Sequence, residues 1–232
     1  MSQSVHGLRR VAVFIFLVLI SGGLCLLACV PREQAPTAKP LGVLNIRTLL
    51  VVPFNSIAER YEIGTTVRCP LCGTVFVTGP VASGADCEMT KQLLTFLKAK
   101  TAYTLIPPGM GEGVRSKILS ESGHLSERDL LVEMGRRVKA DAVVSGTIYR
   151  FRQRIGTGFS ADTPASVAFG IHLVRVADGR LIWTQHFDET QQSLSENLFK
   201  FSAFVQSGGA WLTAEELARM GLNKVMATFP VP

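Results

Sequence analysis

The residues with the clearest capacity for chemistry are three cysteines in the first half of the chain. Cys69 and Cys72 are separated by two residues and followed by Gly73, a spacing that places two thiols on one tight turn and forms half of a structural zinc site. Cys87 is a candidate third ligand. A fourth ligand would come from one of the histidines of the second half, His124, His172 or His186.

The same cysteines have two other interpretations. In an oxidising compartment we expect Cys87 to form a disulfide with Cys69 or Cys72, which would tie this segment to the first helix. A thioredoxin-type redox pair would place its first cysteine at the start of a helix, but here strand-like sequence follows at 74–78. Disulfide and structural zinc therefore both stay open, and we expect no cofactor other than such a zinc.

The amino terminus has the parts of a secretory signal peptide, namely basic Arg9 and Arg10 followed by an apolar segment at 11–20. Ser-Gly-Gly at 21–23 interrupts the apolar sequence, so this segment is too short to span a membrane. Residues 26–29, Leu-Leu-Ala-Cys, resemble the lipobox of bacterial lipoproteins. That resemblance implies cleavage after residue 28 and a diacylglycerol on the Cys29 thiol. Because the next residue is Val30 rather than aspartate, it also implies the outer membrane, facing the periplasm.

Composition narrows the class of protein further. The chain has 232 residues and a net charge of +6, and removal of residues 1–28 takes away two arginines and no acid, which leaves +4. A weakly basic protein outside the cytoplasm is not expected to bind nucleic acid. We divide the chain into a signal peptide (1–28), a lipidated cysteine with a proline-containing tether (29–46) and one periplasmic domain (47–232).

Hydrophobic periodicity predicts an α/β fold, with a mixed sheet in a βαβαβββα order and helices packed on the sheet. An excursion rich in Gly, Thr, Ser and Pro, at 55–85, carries the cysteines. The predicted elements are a strand at 48–54, a helix capped by Asp86, a strand at 102–106, a loop or short helix at 110–122, a helix capped by Ser126, strands at 142–152, 167–176 and 181–187, and a last helix capped by Thr213.

The last two strands form a predicted hairpin whose register follows from its pattern. Odd-numbered apolar residues line one face of both strands, so directly opposed residues must have numbers with an even sum. A two-residue turn at 178–179 would give an odd sum, and we therefore predict a three-residue loop or a bulge. His172 and His186 fall on the other face, which we expect to be exposed.

Two segments carry a family resemblance. The junction at 138–147, with Ala-Asp before an apolar run and a glycine, and the hairpin at 173–183 resemble periplasmic domains related to the TolB amino-terminal domain, the curli-secretion lipoprotein CsgG and lipoprotein activators of peptidoglycan synthases. The resemblance covers 47–190. It implies a sheet backed by helices and a non-enzymatic part of an envelope assembly. A pore is not expected, because the 55–85 excursion contains Pro70 and Pro80 and has too few alternating residues.

A basic row is the remaining candidate site. Arg150, Arg152 and Arg154 alternate along a predicted strand and so project from one face, with Tyr149 and Phe151 on the other. Such a row would suit an anionic glycan, a lipid or an acidic partner, and equally a solvated face or a protected sheet edge.

These observations predict a function without a catalytic site. We expect a lipid-anchored periplasmic interaction protein that scaffolds or regulates a secretion or wall-assembly complex, with an envelope protein or further copies of itself as partner. The alternatives are a CsgG-like accessory subunit of an outer-membrane secretion system and a thiol or metal protein centred on Cys69 and Cys72.

Overall fold

The computed structural model describes residues 46–123, 125–157, 161–191 and 211–231, so the predicted signal peptide and lipidated cysteine lie outside the described residues. None of the helices in these ranges combines the length and the apolar character needed to cross a lipid bilayer. The elements are β1 (Thr48–Val51), β2 (Asn55–Ser56), β3 (Thr66–Arg68), β4 (Val75–Val77), α1 (Ala85–Lys100), β5 (Thr104–Ile106), α2 (Pro108–Ser122), α3 (Glu127–Arg137), β6 (Ala142–Arg152), β7 (Ile155–Gly156), β8 (Ala161–Thr163), β9 (Ser166–Arg175), β10 (Leu181–Thr190) and α4 (Ala214–Met226).

The main sheet has the order β10-β9-β6-β1-β5, and β2 continues beside β6. Strand β1 is parallel to β5 and β6, and β2 is parallel to β6, whereas β9 is antiparallel to both of its neighbours, β6 and β10. Two small antiparallel pairs, β3–β4 and β7–β8, form sheets of their own. The predicted mixed α/β architecture is confirmed, because the βαβ crossovers supply the parallel pairs and the hairpins supply the antiparallel ones.

Both faces of the sheet are covered. Helices α1 and α4 pack on the face that carries the odd-numbered side chains of β9. Helices α2 and α3, together with the β3–β4 hairpin, pack on the opposite face. The expectation that this second face is exposed is therefore wrong for β9: its even positions are Ala168, Gly170, His172 and Val174, all small or buried, and the excursion covers them.

Side chains cap two of the helices as predicted. The Ser126 hydroxyl accepts a hydrogen bond from the Asp129 N–H at the start of α3. Thr213 and Glu216 form a reciprocal capping box at the start of α4. Helix α1 differs, because its cap is Gly84 in a left-handed conformation, and Asp86 lies in the first turn, where a carboxylate suits the helix dipole.

The region after β5 is more helical than predicted. Helix α2 begins at Pro108 and runs to Ser122, where the sequence indicated a loop or a short helix at 110–122. Proline fits the first position of a helix, since its missing N–H would have had no partner there. The strand before it is shorter than predicted and covers Thr104–Ile106.

The predicted irregularity of the last hairpin is confirmed. From Trp183 onward β10 pairs with β9 in an even register, such as Trp183 opposite Leu173, and a bulge separates Trp183 from Leu181. The bulge lets both strands keep their apolar side chains on one face.

The turn between the two strands contains an ion pair. The Arg175 guanidinium binds the Asp178 carboxylate and holds the pKa of that carboxyl at about 2.

A second bulge changes the expected arrangement of β6. The pairing with β9 shifts between Ile148 and Arg150, so Tyr149 and Phe151 do not share a face. Phe151 belongs to the core beneath α1 and α4, whereas Tyr149 packs with the excursion on the opposite face. The regular alternation predicted for this strand is wrong, because a bulge reverses the sides that later residues occupy.

Asp141 joins the starts of two neighbouring strands. Its Oδ2 accepts hydrogen bonds from the backbone N–H groups of Arg47 and Thr48, both at 2.8 Å. Its own carbonyl accepts from the Val176 N–H at the end of β9. The aspartate of the Ala-Asp junction therefore has a structural role, satisfying backbone donors where β1, β6 and β9 meet.

Gly146 provides a test of the packing on β6. A Cβ atom at this position would lie 2.3 Å from the Phe54 ring, and that ring is buried and edge-on to Phe169. We predict that Gly146→Ala lowers the free energy of unfolding by about 1–3 kcal/mol through overpacking, measured by chemical denaturation. Gly113→Ala in α2 is the control, since no atom lies within 4 Å there, and we expect it to be neutral or stabilising by up to about 1 kcal/mol. Equal effects of the two substitutions would contradict the packing described here.

Candidate metal centre

Two of the predicted cysteines and one histidine come together in the structure. The ligand atoms of Cys69, Cys72 and His172 all lie within 4.8 Å of one another. The Cys69 Sγ is 3.4 Å from the His172 Nε2. The cluster unites a loop of the excursion with a central strand of the main sheet, over a separation of 103 residues.

The tight turn between β3 and β4 sets the positions of the two thiols. The Cys69 N–H donates to the Thr74 carbonyl at 2.8 Å, and the Gly73 N–H donates to the Cys69 carbonyl at 2.9 Å. Gly73 has a φ of +78°, which glycine adopts without the steric cost of a Cβ atom. The turn is thus closed by its own backbone, with the Cys69 thiol directed inward and the Cys72 thiol half-buried beside the Thr74 hydroxyl.

The turn is also held from outside. Leu71, between the two cysteines, is buried, and its carbonyl accepts a hydrogen bond from Arg128 of α3 at 3.1 Å. The Arg68 guanidinium donates to the Gly73 carbonyl at 2.8 Å. These contacts fix the loop against α3 and so fix the direction of its thiols.

Strand β9 supplies the imidazole. His172 is 1% exposed and is paired with Ser145 of β6 and Thr184 of β10. Its Nδ1 atom is buried and has no hydrogen-bond partner among the described residues. Gly170 makes room for the ring, because a Cβ there would lie 3.2 Å from the His172 Cε1.

Tyr149 of β6 lies beside the thiols, on the face of the sheet that the excursion covers. Its ring stacks on Phe76 of β4 with centroids 3.8 Å apart and planes 9° from parallel. The hydroxyl is buried and lacks a well-formed hydrogen bond within the described residues. Burial, and next the adjacent Cys69 thiol, raise the pKa of Tyr149 far above its ordinary value, so the phenol keeps its proton.

A small cavity of about 70 Å³ adjoins this cluster, with Cys69, Thr147 and Tyr149 among the residues of its wall. Such a volume exceeds the roughly 10–15 Å³ of probe-occupied space that a water molecule requires. The polar groups of the wall would provide the partners that a buried water needs.

The other predicted ligands lie elsewhere. Cys87 is an exposed free thiol of α1 and is outside the cluster, so the structure does not form the disulfide expected between it and Cys69 or Cys72. His186 contacts the edge of the Phe76 ring, at a centroid distance of 5.9 Å. His124 lies outside the described residues.

The basic row is largely engaged within the molecule. The Arg150 guanidinium binds Ser166, the Val77 carbonyl and the Asp188 carboxylate, and its side chain is only 13% exposed. Arg152 donates to the Pro164 carbonyl, and Arg154, beyond the end of β6, donates to the Trp211 carbonyl. Because intramolecular acceptors hold all three cations, the structure gives little support to the row as a surface for an anionic partner.

The sequence indicated His172 only as one of three candidate fourth ligands, without a reason to prefer it, and did not place Tyr149 at the same site. A signal was present in the sequence: the even positions of β9 are Ala168, Gly170, His172 and Val174, and no charged residue interrupts them. A strand without charge on either face is typical of burial on both faces. The tyrosine had no comparable signal, because the pattern of β6 does not indicate that the excursion with its thiols covers this face of the strand.

Thiol reactivity tests this arrangement. In the reduced, lipidated chain we predict that Cys87 is alkylated first and that Cys69 reacts at least ~10-fold more slowly, because access to it requires local opening of the fold. Mass spectrometry of peptides alkylated over time measures the order, with denatured protein as the control in which the three thiols react alike. Equal rates for Cys69 and Cys87 in the folded protein would be inconsistent with the burial described.

Comparison with known proteins gives only distant similarities. No family model and no curated protein matches the sequence. The PelC dodecamer from Paraburkholderia phytofirmans is similar in structure at 14% identity and a TM-score of 0.46, over 82% of this chain and 90% of that one. The LpoB C-terminal domain from Salmonella enterica is similar at 20% identity and a TM-score of 0.38, over 65% of this chain and 87% of that one. Lipoprotein GNA1162 from Neisseria meningitidis is similar at 13% identity and a TM-score of 0.39, over 79% and 99% of the two chains. With TM-scores below 0.5, these similarities assign neither a family nor a function, and the resemblance to TolB-related and CsgG-like domains stays a prediction.

Proposed function

We propose that this protein is a lipid-anchored component of the bacterial outer membrane whose periplasmic domain binds a protein partner and thereby scaffolds or regulates an envelope complex. The observation that carries the proposal is the Leu-Leu-Ala-Cys sequence at 26–29, directly after a basic and apolar leader. The diacylglycerol on Cys29 and the acylated amino terminus together supply more than one acyl chain, which makes membrane attachment stable.

The tether and the domain have properties that suit this role. Residues 30–45 contain three prolines and carry no helical period, and such a segment spans at most about 55 Å when fully extended. Ile46, which follows, is buried in the core of the domain. In this proposal the segment links the lipid to the domain and lets the domain meet a partner in the periplasm.

Acylation at Cys29 is tested directly by substitution. We predict that Cys29→Ser abolishes incorporation of labelled palmitate and removes the protein from the outer-membrane fraction, because serine has no thiol to receive the diacylglycerol. Cys25→Ser is the matched control, since Leu24 occupies the place where a lipobox has a small residue, and we expect it to be acylated and located as the unsubstituted chain. The opposite pattern, with acylation lost only in Cys25→Ser, would refute the assignment.

The excursion offers the surface that a partner would contact. The β3–β4 hairpin buries Val67 and Phe76 against the sheet, so its other face points outward and carries Val75 and Val77, both about half exposed. The adjacent Tyr61 and Ile63 are exposed as well. Exposed apolar side chains concentrated in one segment are typical of protein interaction sites.

The preceding segment is held beside this hairpin. The Thr78 hydroxyl donates to the Glu62 carbonyl at 2.7 Å, and the Gly64 N–H donates to the Thr78 carbonyl at 3.0 Å. These bonds bring residues 61–64 next to the end of β4, so that Tyr61, Ile63 and Val77 are presented from neighbouring backbone. We therefore assign the excursion to partner binding in place of the basic row.

A CsgG-like accessory subunit of a secretion system is the second candidate. It differs from the first in the partner, which would be further copies of the same chain.

One crosslinking experiment distinguishes the two candidates. We predict that a photo-crosslinking amino acid at position 75, in cells at native expression, yields an adduct with a different envelope protein. The same group at position 110 is the control, because Met110 is equally exposed but belongs to α2, and there we expect no such adduct. Adducts only between copies of the chain favour the second candidate, and equal labelling at both positions argues against the excursion as the contact surface.

A further inference from the structure

We propose that Cys69, Cys72 and His172 bind one Zn²⁺ ion through two thiolate sulfurs and the imidazole Nε2, with a water molecule as the fourth ligand. This inference is independent of the lipid anchor and of the partner. It rests on the three converging ligand atoms and on two buried polar atoms beside them that lack hydrogen-bond partners, Tyr149 Oη and His172 Nδ1.

The spacing of the donors matches that of a tetrahedral zinc site. Zinc binds thiolate at about 2.3 Å and imidazole at about 2.0–2.1 Å, and in a tetrahedron those bond lengths place a sulfur and a nitrogen ligand about 3.5 Å apart. The distance from Cys69 Sγ to His172 Nε2 is 3.4 Å. The Cys72 thiol lies within 4.8 Å of both atoms, so a small rotation of this half-buried side chain would complete the three-ligand set.

The donor types select the metal. Thiolate and imidazole are soft or borderline ligands that suit Zn²⁺, whereas Mg²⁺ and Ca²⁺ require oxygen. On binding, each thiol releases its proton, and two thiolates with one divalent cation form a neutral unit. Neutrality matters here because Cys69 and His172 are almost completely buried, and an unpaired charge in such a place is very costly.

The fourth ligand follows from what surrounds the three. No additional Cys, His, Asp or Glu ligand atom of the described residues joins the group within the same distance, and three protein ligands with a water is a known form of zinc site. The cavity of about 70 Å³ that Cys69 and Tyr149 border is large enough for a water. The buried Tyr149 hydroxyl is a hydrogen-bond donor placed to bind a water at this site or the Cys69 sulfur.

Zinc at this place would act as a crosslink. It would join the turn between β3 and β4 to the central strand β9, and thereby hold the excursion on the sheet. Because the site exists only in the folded chain, the free energy of binding adds to the stability of the fold. The role proposed for the ion is structural.

The test uses the mature lipidated chain, which begins at Cys29, in detergent under reducing conditions. We expect one equivalent of zinc by elemental analysis, and after exchange with Co²⁺ alone we expect thiolate-to-cobalt charge-transfer absorption in the near ultraviolet. Chelation should lower the melting temperature, and returning Zn²⁺ should restore it. Cys69→Ser, Cys72→Ser and His172→Ala should each lose the tightly bound metal.

Matched controls exist within the chain. Cys87→Ser and His186→Ala remove a thiol and an imidazole outside the cluster, and both should keep one equivalent of zinc and the cobalt spectrum. If a cluster variant fails to fold, the metal content and the cobalt spectrum of Cys87→Ser still decide, because its only non-lipidated thiols are Cys69 and Cys72. Absence of tight metal binding in Cys87→Ser overturns the proposal. So does a Cys69–Cys72 disulfide found by mass spectrometry in protein whose thiols were capped in intact cells.

Discussion

The arrangement of the domain depends on burial of strand β9 on both of its faces. All but the last of its residues are buried, so the chain must supply an apolar layer on each side of the sheet. Helices α1 and α4 form one layer. The second layer consists of α2 and α3 and of the excursion, whose Phe76, Leu71 and Cys69 complete the cover. The excursion is therefore part of the core and not a loop attached to a finished domain.

This burial has a chemical consequence at His172. An imidazole in the middle of a covered strand loses its contact with water, and a buried polar group without a partner is costly. The turn that carries Cys69 and Cys72 places two thiols beside the ring, and the stacked pair of Phe76 and Tyr149 packs on the same face of the sheet. The same packing that closes the second layer thus creates the metal-ligand cluster.

The outer surface of the excursion follows from its inner surface. A two-stranded hairpin that buries alternate side chains must present the others, and here Val75 and Val77 are presented next to Tyr61 and Ile63. An ion bound beneath the hairpin and a partner bound above it would involve the same short segment. The rest of the domain supports this segment, and Asp141 joins the starts of β1 and β6.

Local patterns in the sequence determined much of this protein. Helix caps at Ser126 and Thr213, the extent of β6 and the bulge in the last hairpin depend on residues close together in the chain, and period-two alternation alone sets the register. The segment at 26–29 that resembles a lipobox likewise consists of adjacent residues.

The tertiary structure alone decided which face of β9 was covered, that Arg150 was bound by Asp188, and that His172 met thiols 103 residues away. These outcomes depend on how separate elements pack and on a bulge in β6 that reverses the sides of Arg150 and Phe151, and neither leaves a periodic signal in the sequence. The sequence therefore specified most of the elements, while packing between distant segments specified the site.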